Sequence, residues 1–146
     1  MCRPIPLLVL AIAASAPAAA VEKTAVWPTE MPEGGSYTPG VLVGDTLYVA
    51  GQLGRDFKTG QYPEAFEAEV KQCLDNVGLV LRAGGMDFDD VVSVQVFLTD
   101  VELFKAMNDV YRAYFSKKPL PARTTTGASR LPGGKGRIEI AVTARK

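Results

Sequence analysis

The sequence predicts a single α+β domain, one mixed β-sheet with two helices packed on one face, in the order β-β-α-β-α-β-β. Three observations predict it. Two β-rich runs flank a tight turn near residue 44, two segments carry apolar residues at helical spacing, and two later segments alternate with the two-residue period of a strand. A length of 146 residues suits one domain with a real core and is short for two.

Taken in order, Val41-Leu42-Val43 and Thr46-Leu47-Tyr48-Val49-Ala50 enclose Gly44-Asp45, the signature of a hairpin with glycine first in a two-residue turn. From residue 63 to 82, Phe66, Val70, Cys73, Val77 and Leu81 mark one stripe of a helix; Pro63 suits its first turn and Gly84-Gly85 its end. Cys73 falls on that stripe and is expected to pack as a small hydrophobe rather than react. Residues 91–98 form a strand whose Val92, Val94, Val96 and Leu98 make one apolar face, with Ser93 and Gln95 on the other. Thr99 to Glu102 has the spacing of a capping box, and Phe104, Met107, Tyr111 and Tyr114 continue a second helix to Phe115. After Pro119 and Pro121, residues 124–128 and 137–145 read as two strands around a Gly-rich turn at 132–136. In the last of them Ile138, Ile140, Val142 and Ala144 face one way, and Glu139, Ala141 and Thr143 the other. The face without helices then carries apolar and polar residues together, which predicts cover by other subunits.

Residues 1–20 combine Arg3, an apolar run and Ala18-Ala19-Ala20, the pattern of a cleaved signal peptide, so an exported, periplasmic or secreted protein without a membrane anchor is expected. Residues 21–36, rich in Pro, Glu and Gly, read as an extended arm pinned by Trp27, and residues 37–146 as the domain. Sixteen basic residues balance sixteen acidic ones, which disfavours nucleic acid as a partner. The absence of histidine argues against a metal site or a histidine-based triad.

Two charges call for explanation: Arg123 at the start of a strand, and Glu139 between two isoleucines. On their pattern alone both could simply face solvent. Further motifs change that balance. They are Ser36-Tyr37-Thr38-Pro39-Gly40, Tyr48-Val49-Ala50-Gly51-Gln52, Ala83-Gly84-Gly85, Met107-Asn108-Asp109-Val110-Tyr111, Pro121-Ala122-Arg123-Thr124-Thr125, Leu131-Pro132 and Ile138-Glu139-Ile140. In this order and spacing, from Tyr37 to the C-terminus, the chain resembles the reactive intermediate deaminase (Rid) family, also known as the YjgF or L-PSP endoribonuclease family.

The resemblance implies a chorismate-mutase-like fold, a homotrimer with intersubunit clefts, and cofactor-free hydrolysis of 2-imino acids such as 2-iminopropanoate to 2-oxo acids and ammonia. It implies that Arg123 binds the substrate carboxylate and that Glu139 orients the attacking water. Tyr37 would line the cleft, Gly51 and Thr125 would offer backbone N–H donors, and Asn108 would support the site. The chain departs from the family pattern at two positions. Ala50 stands where many deaminating members have Ser, which removes a hydroxyl from the cleft and bears on substrate preference. Thr125 stands where many have Cys, which costs little if only its backbone amide is used. Two alternatives stay open: a trimeric module that binds small carboxylates without turnover, and RNA cleavage, against which the lack of histidine and of a basic surface counts.

Overall fold

A computed structural model describes residues 21–146; the expected signal segment lies outside them. The elements are β1 (Lys23–Val26), β2 (Gly40–Val43), β3 (Thr46–Leu53), α1 (Phe66–Ala83), β4 (Val91–Leu98), α2 (Phe104–Tyr111), β5 (Ala122–Gly127) and β6 (Ile138–Arg145). They build one six-stranded sheet in the order β1-β2-β3-β6-β4-β5. Only β4 and β5 run parallel, joined through α2; every other pair is antiparallel. Because β3 and β4 both run against β6, they are parallel to each other, and α1 is the crossover between them.

The expected order holds, with one strand more. Lys23–Val26, in the segment read as an arm without strand periodicity, pairs with β2 and extends the sheet. A four-residue edge strand with only Val26 buried leaves no period to detect. Val26 and Met31 enter the core, whereas Trp27 is half-buried beside Leu79 and Arg82 of α1.

Local chemistry accounts for the ends of the elements. Gly44 takes φ 60° at the first turn position of the β2–β3 hairpin. At the end of α1, the Gly85 N–H reaches the Arg82 carbonyl at 2.9 Å and the Met86 N–H the Leu81 carbonyl at 2.9 Å. This is a Schellman arrangement, with Gly85 at φ 72° in the left-handed position that favours glycine. The start of α1 is three residues later than its sequence pattern predicts, because the carbonyls of Pro63 and Glu64 accept from the Arg137 guanidinium instead of joining a helix. The cap expected at Thr99 is also displaced by one residue. Asp100, not Thr99, accepts from the Glu102 N–H at 2.9 Å, while the Thr99 N–H is used by the Arg137 carbonyl. A 3-10 turn at Val101–Leu103 then leads into α2, which ends at Tyr111 rather than running to Phe115.

The core lies between the helices and one sheet face. Leu47 and Val49, Val94, Val96 and Leu98, and Ile138, Ile140, Val142 and Ala144 meet Val70, Cys73, Leu74, Val77 and Leu81 of α1 and Met107 of α2. Cys73 is fully buried, its thiol donates to the Gln52 carbonyl at 3.0 Å, and burial pushes its pKa up, so it packs and does not react. Val92 was expected on the apolar face, but an irregularity between Val91 and Ser93 turns it outward, half exposed.

One charged group is entirely inside. Glu69 of α1 has no exposed surface; its carboxylate accepts from the Arg137 backbone N–H and from Arg137 Nε, each at 2.6 Å. Replacing it by Ala strands the guanidinium at the mouth of β6 and is expected to cost about 3 kcal/mol, the lower end for a broken buried pair because Arg137 is partly exposed. Urea unfolding of the two proteins measures this; an unchanged midpoint would show that the pair contributes nothing.

Candidate functional site

The face of the sheet turned away from the helices carries Tyr48, Ser93, Gln95, Phe97, Glu139, Ala141 and Thr143. Tyr48 is 53% exposed there, beside a hollow of about 270 Å³ floored by Ser93, Gln95, Ala141 and Thr143. Glu139 occupies this face at the end of β6, in register with Leu53 on one side and Phe97 on the other.

A bulge in β3 shapes the ground beneath it. Between Val49 and Gln52 that strand sets two residues, Ala50 and Gly51, against one of β6, Ala141, and the extra residue carries Gly51 to the Glu139 side chain. A β-carbon on Gly51 would overlap the Glu139 carboxylate, so only glycine leaves room for the acid in this position. Burial then lifts the Glu139 carboxyl above the ordinary carboxylate value. Gly51 also lines a cavity of about 240 Å³ with Tyr37, Leu53, Arg55, Phe57 and Tyr62.

Arg123 is built differently. It stands on the edge strand β5 in register with buried Val94, which puts it on the helix side of the sheet. Its Nη1 donates to Asn108 Oδ1 at 2.8 Å, and its guanidinium lies 4.6 Å from the Tyr111 ring centre and 5.5 Å from that of Phe104. The aromatic faces and the amide hold the fork in one orientation without neutralising it. No ion pair joins Arg123 to a carboxylate among the described residues. Asn108, Tyr111, Pro121 and Leu120 bound a pocket of about 490 Å³ around it, with the buried Tyr111 hydroxyl lacking a hydrogen-bond partner among the described residues.

The residues singled out by sequence thus fall into two groups. Tyr37, Gly51 and Glu139 gather at the β3–β6 end, and Arg123 and Asn108 at the edge strand, with Thr125 two residues along β5 on the same side as Arg123. Within one chain the groups do not meet, because Arg123 and Glu139 lie on opposite faces of the sheet, two strands apart. Sequence reading passed over Arg55, Tyr62, Phe104 and Tyr111 as site residues. Phe104 and Tyr111 belong to the helical stripe, and Tyr111 also to a motif of the resemblance, without a site role for either, while Arg55 and Tyr62 sit in a loop whose path no period reveals.

Comparison with known proteins places this geometry. A family model described as Endoribonuclease L-PSP matches residues 29–146. A 2-iminobutanoate/2-iminopropanoate deaminase of Capra hircus is 45% identical over 111 residues, covering 75% of this chain and 80% of that one. A RutC family protein of Saccharolobus solfataricus is 45% identical over 113 residues, 77% of this chain and 88% of its own. Among solved structures, the YjgF gene product of E. coli superposes with a TM-score of 0.78 at 32% identity, covering 84% of this chain and 98% of that chain. The mixed sheet with two helices is that of these L-PSP, chorismate-mutase-like structures. The expected exported, periplasmic or secreted location is not upheld by the same comparison: the matched relatives are named as 2-iminobutanoate/2-iminopropanoate deaminases and RutC family proteins, none by an exported location, and residues 21–146 carry no signal-like feature.

The contact between Gly51 and Glu139 makes a measurable demand. In Gly51→Ala the new β-carbon drives the carboxylate out toward water, so its pKa is expected to fall back toward the ordinary value. A carboxyl-carbon NMR titration of Glu139 in the two proteins checks this. Equal midpoints would mean that the bulge does not hold the acid in its buried position.

Proposed function

The chain belongs to the endoribonuclease L-PSP family, and on that premise we propose that it hydrolyses 2-imino acids to 2-oxo acids and ammonia, with Arg123 and Glu139 as the working pair. The observation that carries the reading is chemical complementarity. A preorganised guanidinium without a carboxylate partner suits the substrate carboxylate, which it can take bidentately. A carboxyl with its pKa raised by burial suits a group that must both accept and return a proton near neutrality. The relatives named as deaminases of 2-iminobutanoate and 2-iminopropanoate support the same reaction class.

In the proposed reaction Arg123 holds the carboxylate, with Asn108 orienting the guanidinium. Glu139 takes a proton from water as its oxygen bonds to the imine carbon and the C=N electrons pass to nitrogen. Glu139 returns that proton to the nitrogen of the carbinolamine. The C–N bond then breaks as Glu139 passes the hydroxyl proton to the departing nitrogen, giving the 2-oxo acid and ammonia. Every atom comes from substrate and water, and the scheme uses no cofactor. Tyr37 and the backbone N–H groups of Gly51 and Thr125 complete the pocket around the substrate.

Since Arg123 and Glu139 occupy opposite faces in one chain, the pair requires Arg123 of one copy beside Glu139 of another. A homotrimer closed by the uncovered sheet face supplies such clefts, and the exposed Tyr48 and Val92 support burial of that side. The name of the family refers to RNA cleavage, for which a chain with no histidine and balanced charge is poorly equipped.

Light scattering is expected to report three copies per particle, and a stable monomer would separate the two residues and end the scheme. Glu139→Gln is expected to lower kcat for 2-iminopropanoate by roughly 10² to 10⁴ while leaving 2-oxobutanoate affinity within a few fold. Arg123→Ala should weaken both binding and turnover by about 2 to 5 kcal/mol. A base must be ionised to work, so activity should fall as pH drops through the raised Glu139 pKa, with its acid limb above the ordinary carboxylate value, and Glu139→Gln should lose that limb. Turnover in Glu139→Gln equal to the parent's would remove the proton-transfer role.

A further inference from the structure

The cavity beside Glu139 contains a cation that the reaction above does not use. Arg55 lines it together with Tyr62 and Gly51, on the loop between β3 and α1. It has no ion-pair partner among the described residues. Nor does it serve Glu139: burial alone accounts for the raised Glu139 pKa, whereas Arg55 does act on the Tyr62 phenol. The Glu139 carboxylate acts on the same phenol with the opposite sign, so Tyr62 is near both the cation and the catalytic acid.

The loop that carries Arg55 is held from several directions. Buried Asn76 of α1 donates through Nδ2 to the carbonyls of Leu53 and of Arg55 itself, at 2.8 and 2.9 Å. The Asp56 carboxylate accepts from the N–H groups of Lys58 and Thr59 at 2.7 and 3.0 Å, and the Asp56 N–H donates to the Gln61 carbonyl at 2.9 Å. Arg55 Nε donates to the Gly60 carbonyl at 3.2 Å, which spends one donor and aims the remainder of the fork. Leu53, Phe57, Pro132 and the ring of Tyr37 add apolar surface to the lining, which Gln52 and Gly133 complete.

We propose that Arg55 and Tyr62 form a second anion subsite that selects 2-imino acids whose side chain ends in a carboxylate, of the 2-iminosuccinate type. The inference rests on the deaminase reading. With the α-carboxylate taken by Arg123 and the imine carbon over Gly51 and Glu139, the substrate side chain is the part left to enter this cavity. Apolar walls accept its methylene, and Arg55 with the Tyr62 hydroxyl meets its terminal oxygens. A volume of about 240 Å³ admits a short side chain of this kind.

The test generates 2-iminosuccinate and 2-iminopropanoate in place, from aspartate and alanine with amino-acid oxidases, and follows accelerated loss of each imine. The parent is expected to prefer the dicarboxylate in kcat/KM at least tenfold. Arg55→Met, of similar length and no charge, should lower that ratio tenfold or more through KM rather than kcat, Arg55→Lys should restore part of it, and Tyr62→Phe should lower it a few fold. If the parent processes 2-iminopropanoate but Arg55→Met leaves the ratio unchanged, the subsite is wrong and the deaminase reading stands. If the parent accelerates neither imine, the deaminase reading fails and the subsite falls with it. Far-ultraviolet circular dichroism and light scattering confirm that each variant keeps its fold and assembly.

Discussion

Because β6 lies in the centre of the sheet, between β3 and β4, its two-residue alternation decides what each face of the molecule can do. Ile138, Ile140, Val142 and Ala144 point to the helices and are buried; Glu139, Ala141 and Thr143 point to the other side. A slip of one residue would bury the acid beneath α1 and expose the isoleucines, so the hydrophobic demand of the core also holds Glu139 in its place. The same parity passes through the register to β4 and β5, where it sends Val94 and Arg123 to the helix side. Separation of the two candidate site charges is thus a property of the sheet, not of their side chains.

Where β6 begins, a second constraint takes over. Glu69 and Arg137 clamp the first turn of α1 to the start of that strand, and the guanidinium also takes two carbonyls of the loop leading into the helix. A fully buried carboxylate is tolerable only with such complete hydrogen bonding, and the arrangement ties the Arg55 loop to the strand that bears Glu139. Asn76 performs the neutral counterpart on the next turns of α1, satisfying the carbonyls at the root of the same loop. One face of α1 therefore does more than fill the core. It positions the backbone around the cavity.

The two halves of the site exploit opposite physical devices. Arg123 is kept charged and oriented by an amide and two aromatic faces, which stabilise a cation without cancelling it. Glu139 is set against a glycine where water is partly excluded, which disfavours its anion. The roles proposed for them, a binder and a proton carrier, need such different surroundings, and the edge strand and the bulged centre of the sheet provide them.

Much of this was legible in residue order. The period of residues 91–98 and 137–145 marked strands with one dry face, the stripe through Cys73 marked α1, and Glu139 and Arg123 stood out as charges flanked by strand residues. These are local patterns, repeated every two residues or every turn, and the core rewards them directly. What tertiary structure alone decided are the features that depend on partners distant in sequence. β1 exists because β2 offers it an edge, the start of α1 is shifted because Arg137 claims its leading carbonyls, and the Gly51 bulge is visible only against β6. That Arg123 and Glu139 fall on opposite faces, and that Arg55 joins Tyr62 beside Gly51, follows from strand order and loop path. Neither has a period, so neither leaves a mark in the sequence that position along the chain can reveal.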